Sequence, residues 1–84
     1  MSVFKQWMEA ATTAEQAELA RLARTSRQYL YHIAADKHAR YKRVPRRGLA
    51  QRLADGCEVL RRASKGRLPK VLPSDLNAQL NEKL

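Results

Sequence analysis

A short stretch of this chain combines side chains that can recognise the edges of DNA bases. They are Arg27, Gln28, Tyr31 and His32. An arginine can donate two hydrogen bonds to guanine O6 and N7, and a glutamine can form an equivalent pair with adenine N6 and N7. A tyrosine in the same helix can contact a thymine methyl group or a phosphate. The residue types therefore predict sequence-specific contacts to nucleic acid.

Two amphipathic helices are predicted to position these side chains. Their apolar positions are Leu19, Ala20 and Ala23 in the first helix and Leu30, Ile33 and Ala34 in the second. Thr25-Ser26 interrupts the pattern, and Ser26 can accept backbone hydrogen bonds as the N-cap of the second helix. Because the apolar faces pack together, the polar side chains face outward. This pattern is typical of a helix-turn-helix, which places its second helix in the DNA major groove.

The charge of the chain also favours a polyanionic partner. The 84 residues include 17 Lys and Arg and 8 Asp and Glu, which gives a net charge of +9. The excess is concentrated in residues 21–70, which contain fifteen of the basic and three of the acidic residues. It begins on the predicted helix pair and continues beyond it. Nucleic acid is therefore favoured over an acidic protein partner or a membrane surface.

Other functional classes lack support in the sequence. Cys57 is the single cysteine, which fits a reducing compartment and a small core residue. His32 and His38 have no companions at ligand spacing, so we expect no metal site. The chain has no glycine-rich phosphate loop, nucleophile elbow or paired carboxylates, so we expect no catalytic site, no cofactor and no small-molecule substrate. No apolar run reaches the roughly 20 residues of a membrane span, and no secretion signal is apparent, which favours a cytoplasmic protein.

Helical periodicity extends along the chain. Helix 1 is predicted from Val3 to about Ala11 with Ser2 as N-cap. Helix 2 begins with a capping box, which is either Thr12 with Glu15 or Thr13 with Gln16, and it ends near Arg24. Helix 3 covers residues 27–35. We therefore expect an all-α domain of four to five helices.

Two points stay open in the second half of the chain: whether residues 46–63 form one helix or two, and whether residues 74–84 form a short helix or a tail. Helix 4 covers about residues 46–63 with Pro45 in its first turn, and one helix is favoured over a break at Gly56 capped by Asp55 and Glu58. Gly66 ends that helix, and residues 67–73 are too rich in proline for regular structure. Residues 74–84, capped by Ser74, form a short helix or tail with a leucine stripe (Leu76, Leu80 and Leu84). We divide the chain into a DNA-binding domain over 1–73 and a C-terminal element over 74–84 that could serve in dimerisation.

The pattern LAxxxxTSxxYLxxIA over residues 19–34 resembles the helix-turn-helix of the Cro/repressor family, which includes phage lambda-repressor-like and bacterial YdaS-like proteins. Residues 65–76, KGRLPKVLPSDL, are similar to the closing segment of small Cro-like regulators. The resemblance implies a lambda-repressor-like fold with a central helix-turn-helix. It also implies a transcriptional repressor, acting as a homodimer on double-stranded operator DNA with recognition helices about 34 Å apart.

The resemblance further implies roles for individual residues. Ser26, Arg27, Gln28, Tyr31 and His32 would face the groove, and Gln16 would anchor a phosphate. Arg40, Lys42 and Arg43 would grip the DNA backbone after the recognition helix. The family usually has glycine where Arg24 stands, which implies a modestly strained or rebuilt turn here.

Two other functions are compatible with the same residues. A general nucleic-acid-binding module would use the charge alone, and its binding would depend steeply on salt without a preferred site. A DNA-binding antitoxin or adaptor would use the leucine stripe of residues 74–84 to bind a protein partner. Deletion of residues 74–84 would then change partner binding.

Overall fold

The computed structural model describes residues 2–36 and 38–81, and every regular element in this part of the chain is helical. The elements are α1 (Val3–Ala10), α2 (Thr13–Ala23), α3 (Arg27–Ala34), α4 (Arg47–Ala63) and α5 (Pro73–Leu76), followed by a 3-10 turn over Ala78–Asn81. The all-α prediction is confirmed. No helix among the described residues is long and apolar enough to cross a bilayer.

The first two helices begin at side-chain caps. The Ser2 hydroxyl accepts a hydrogen bond from the Lys5 backbone N–H at 3.0 Å, as predicted. At the start of α2, Thr12 and Glu15 form the capping box, with reciprocal bonds of 3.1 and 2.8 Å. The Thr13 and Gln16 alternative is therefore wrong. Because the register is set by Thr12, the Gln16 side chain turns towards the core, where it is 6% exposed.

The turn between α2 and α3 has left-handed backbone geometry at Arg24. Its φ of 61° and ψ of 49° lie in the region that glycine adopts most easily. The Thr25 N–H donates to the Ala20 carbonyl at 2.8 Å, and Ser26 caps α3 by accepting from the Tyr29 N–H at 3.1 Å. The predicted strain and the predicted cap are both present. A three-residue connection thus joins the two helices.

One apolar core connects all five helices. The apolar residues predicted on the facing sides of α2 and α3 are all buried, and they pack with Phe4 and Trp7 of α1 and with the inner face of α4. The rings of Phe4 and Trp7 stack with centroids 5.9 Å apart. Helix α1 ends at Ala10, one residue before the predicted end. The pair of α2 and α3 is therefore packed against α4 through α2 and against α1 through α3.

Helix α4 runs without interruption through Gly56, so the two-helix alternative with Asp55 as a cap is wrong. Gly56 is buried where α4 meets α2: a Cβ atom there would lie 2.7 Å from Leu19 Cδ1 and 3.4 Å from Leu22 Cβ. The helix begins at Arg47, so Pro45 precedes it rather than occupying its first turn as predicted. The Pro45 carbonyl accepts a hydrogen bond from Asn77 Nδ2 at 2.9 Å.

The C-terminal segment differs from its prediction. Lys65 and Gly66 both have positive φ after α4, and irregular residues 67–72 follow. Helix α5 is only four residues long, its N-cap is Leu72 rather than Ser74, and the extended backbone of Asn77 ends it. The helix ends at Asn77 because the Asn77 side chain donates a hydrogen bond to the Pro45 carbonyl. Leu76 is buried in the common core, whereas the Leu80 side chain and Leu84 lie outside the described residues.

Arg67 joins this segment to the α1–α2 junction. Its Nη1 donates to the Ala10 carbonyl at 2.8 Å, and its Nη2 forms an ion pair with Glu15. The hydrogen bond from Arg67, together with those from Thr12, lowers the pKa of Glu15. No pattern in the sequence indicates this long-range contact.

Acid should weaken the fold through Glu15. Because its pKa is lowered by folding, its contribution is complete above the unfolded-state pKa and is lost as the pH falls through the folded-state pKa. We expect Glu15→Gln to reduce the free energy of unfolding by up to about 1 kcal/mol near neutral pH. The difference from the parent protein should shrink below about pH 4.3. Urea unfolding at several pH values measures this, and a difference that is constant with pH would contradict it.

Candidate nucleic-acid interface

Helix α3 presents its first turn and one polar face at the surface. Its opposite side is buried against α2, where Ala20 and Ala23 allow a close approach because their side chains are small. Gln28 is exposed, Tyr31 is 48% exposed and Arg27 is half-buried. The packing thus leaves the base-reading side chains predicted at Gln28 and Tyr31 accessible to a partner.

A buried amide holds the guanidinium of Arg27. Gln16 Nε2 donates to the Met8 carbonyl at 2.9 Å. Gln16 Oε1 accepts from Arg27 Nε and Nη2 at 3.3 and 3.2 Å and from the Tyr31 hydroxyl at 3.0 Å. Arg27 Nη2 also donates to the Tyr31 hydroxyl at 3.2 Å. Among the described residues Nη1 has no acceptor, so this end of the guanidinium can donate to a base.

Gln16 therefore does not have the position predicted for a phosphate anchor. It lies on the same side of α2 as Leu19, Ala20 and Ala23, with the i, i+3, i+4, i+7 spacing of a buried stripe. A buried amide requires hydrogen-bond partners, and Gln16 finds them in Met8, Arg27 and Tyr31. Gln16 is a positioning residue in this structure, and its spacing was the signal that could have revealed this.

Replacing Gln16 with leucine tests that position. The variant keeps a similar volume but removes the acceptor shared by Arg27 and Tyr31, so we expect a loss of about 1–3 kcal/mol in the free energy of unfolding. The ¹⁵N signal of Arg27 Nε should also move towards that of a solvated arginine. Gln28→Leu is the matched control, because Gln28 is exposed on α3 and should change stability by less than about 0.5 kcal/mol. Equal effects of the two variants would argue against a special role for Gln16.

Some of the predicted DNA-contacting side chains that lie after the first turn of α3 contact other groups of the protein. His32 is half-buried, with the rings of Tyr29 and Tyr41 at centroid distances of 6.3 and 5.7 Å. The Lys42 ammonium donates to the Ile33 carbonyl, and desolvation lowers the pKa of Lys42. A lysine at this place satisfies a carbonyl that the end of a helix leaves without a partner. The Lys42 ammonium group thus has a partner within the protein, whereas Arg40 and Arg43 are exposed.

Some basic residues have partners within the protein that the sequence analysis did not predict. Arg52 Nε donates to the Ala23 carbonyl at 2.9 Å, just before the left-handed turn. Lys5 forms an ion pair with Asp36 at 3.0 Å. By contrast, some basic side chains form no hydrogen bond or ion pair with another described residue: Arg24, Arg40, Arg46, Arg47 and Lys65. Four of these five lie within residues 24–47, which flank α3 in the sequence.

The single cysteine lies in the core. Cys57 is fully buried, and burial raises the pKa of its thiol to about 12, which disfavours the thiolate form. Residues 2–36 and 38–81 contain no cluster of three His, Cys, Asp or Glu side chains that could hold a metal ion.

Comparisons with protein-family models, curated proteins and solved structures found no match for this chain.

Proposed function

We propose that the protein is a sequence-specific DNA-binding transcriptional regulator of the Cro type. Helices α2 and α3 act as the helix-turn-helix of a lambda-repressor-like domain, and α3 enters the major groove of an operator. The protein acts as a homodimer in the cytoplasm, with the two α3 helices one DNA turn apart. Residues 74–84 are the candidate dimerisation element.

The observation that carries this proposal is the placement of Arg27 on the first turn of α3, half-buried beside the exposed Gln28. In the helix-turn-helix mode of docking, the N-terminal residues of the second helix contact the base edges. Arg27 is held there by Gln16 and Tyr31, so little side-chain entropy is lost when it meets a base. Gln28 is exposed beside it. These two side chains select the sequence.

The basic residues around α3 supply affinity for the DNA backbone. Arg24 precedes α3, and Arg40, Arg43, Arg46 and Arg47 follow it. All five are exposed. Contacts from such residues to phosphates fix the register on the duplex without choosing the sequence.

Selection of bound sites from a random duplex pool, followed by titration at about 0.15 M salt, tests the proposal. We expect at least a ~10³-fold preference for the selected site over a scrambled duplex of equal length. The selected site should be palindromic with half-site centres about 10 base pairs apart. Equal affinity for both duplexes, combined with a steep salt dependence, would favour a general nucleic-acid-binding module instead.

A further inference from the structure

A tight turn after α3 presents an aromatic ring next to a guanidinium group. The Lys42 N–H donates to the Ala39 carbonyl at 3.1 Å, which places Arg40 and Tyr41 at the two central positions of the turn. Both side chains are exposed, and the exposed fraction of Tyr41 is 56%. The contacts proposed between α3 and an operator make no use of the Tyr41 ring, so this ring is available for another partner.

Three contacts hold the turn against the end of α3. The Arg43 N–H donates to the His32 carbonyl at 3.0 Å, and the Lys42 ammonium donates to the Ile33 carbonyl. The His32 ring lies beside the Tyr41 ring, with centroids 5.7 Å apart. Because these contacts restrain Tyr41 and still leave more than half of it exposed, the ring loses little conformational entropy when it meets a partner.

Basic side chains surround Tyr41 in the sequence. Residues 40–47 contain five basic residues and no acidic residue, and Arg40, Arg43 and Arg46 are exposed. Proteins that bind single-stranded nucleic acid combine these two components: aromatic rings stack on the bases, and positively charged side chains follow the phosphates. The segment from Arg40 to Arg46 therefore has the composition of a surface for unpaired nucleotides.

The groove of about 330 Å³ between α1 and α3, which Tyr41 borders, leaves room for a base beside the ring. Its walls contain charges of both signs: Lys5 lies near Asp36 and Glu9, and Lys42 also lies near Asp36. Because these charges oppose one another, the groove suits an uncharged ring better than an ion. A nucleobase is such a ring, and its phosphates would remain outside the groove.

The Tyr41 ring distinguishes a single strand from a duplex. In a duplex the faces of the bases are stacked on one another, and only their edges are accessible in the grooves. In a single strand the faces are open and can stack on an aromatic side chain. Exposed arginines alone would fit the phosphates of either form. The exposed aromatic ring therefore favours the single strand.

We propose that the segment from Arg40 to Arg46 binds single-stranded nucleic acid. One base stacks on the Tyr41 ring, and Arg40 and Arg43 hold the neighbouring phosphates. Arg40 and Arg43 thus serve whichever form of nucleic acid is bound, whereas Tyr41 serves only the single strand. The site needs no base contact from Arg27 or Gln28, so it does not depend on the proposed function.

Fluorescence anisotropy with a labelled thymidine strand of about ten nucleotides, at about 0.15 M salt, tests the site. We expect saturable binding with a Kd below about 100 μM. Tyr41→Leu removes the stacking surface and should bind at least about fivefold more weakly than Tyr41→Phe, which keeps the ring. Val44→Ala is the matched control, because it shortens another exposed apolar side chain of the same segment and should leave the Kd unchanged. On an abasic strand of equal length, the parent protein and Tyr41→Leu should bind equally.

Three results would overturn the proposal. No saturable binding up to about 100 μM protein, or equal Kd values for Tyr41→Leu and Tyr41→Phe, would exclude stacking on Tyr41. A loss of the same size on the abasic strand would show that Tyr41 acts without the bases. A loss of the same size on a duplex would assign Tyr41 to duplex contacts. Because the thymidine strand contains no operator, single-strand binding without a preferred duplex would contradict only the proposed function.

Discussion

Replacing Arg27 with alanine is expected to reduce the preference for the selected operator over a scrambled duplex by about 10- to 100-fold, equivalent to about 1–3 kcal/mol. Gln16 and Tyr31 accept hydrogen bonds from Nε and Nη2 of the guanidinium group. Its Nη1 atom has no acceptor among the described residues. A base acceptor on the DNA would complete its hydrogen bonding. Competition titrations with the two duplexes at one salt concentration measure the effect.

Arg62→Ala is the matched control for this experiment. Arg62 is an exposed arginine in the last turn of α4, paired with Glu58 at 3.0 Å, so the substitution removes the same charge without touching α3. We expect it to leave the ratio of the two affinities unchanged. If Arg27→Ala and Arg62→Ala lower binding to both duplexes equally, Arg27 contributes only charge and the sequence-reading role is wrong.

Replacing Gly56 with alanine is expected to destabilise the protein by about 1–3 kcal/mol, although alanine is the better helix former by about 1 kcal/mol. The new Cβ would lie 2.7 Å from Leu19 Cδ1 and 3.4 Å from Leu22 Cβ. Leu19 is fully buried in a close-packed core, so its side chain can move only by displacing its neighbours. Either Leu19 and its neighbours repack or α4 shifts away from α2, and both cost stability. Denaturant unfolding measures the change.

Gly48→Ala provides the control within the same helix. Gly48 is exposed in the first turn of α4, and the nearest atom to a Cβ added there would be Arg52 Nη1 at 3.6 Å. We expect this substitution to be neutral or to stabilise the protein by up to about 1 kcal/mol. Opposite signs at the two glycines would show that close packing, rather than helix propensity, determines the residue at position 56. A stabilising Gly56→Ala would contradict the packing described for α2 and α4.

The parts of the fold that were predictable from sequence depend on neighbours within one turn of a helix. Ser2 and Ser26 were predicted as caps because a hydroxyl before a helix meets N–H groups two or three residues later. The buried faces of α2 and α3 followed from the 3.6-residue period. The left-handed Arg24 was expected from the resemblance to a family with glycine at that place.

The errors in side-chain role and in the length of the last helix occurred where a residue's partner lies far away in the chain. Gln16 was predicted to contact a phosphate, but its amide oxygen accepts a hydrogen bond from Arg27, eleven residues later. The helix predicted from Ser74 ends early because Asn77 contacts the carbonyl of Pro45, 32 residues before it. Gly56 was correctly predicted within a single helix, but its tight contact with Leu19 and Leu22 of α2 was not predicted.

The sequence by itself determined the helical architecture, the basic charge around α3 and the residue types on its outer face. Only the tertiary structure decided which basic side chains are occupied within the protein, such as Lys42 and Arg52, and which remain exposed to a partner. The physical reason is that capping and amphipathic periodicity are local properties of the chain. The hydrogen bonds of a long side chain instead depend on which carbonyl or amide another helix brings within about 3 Å.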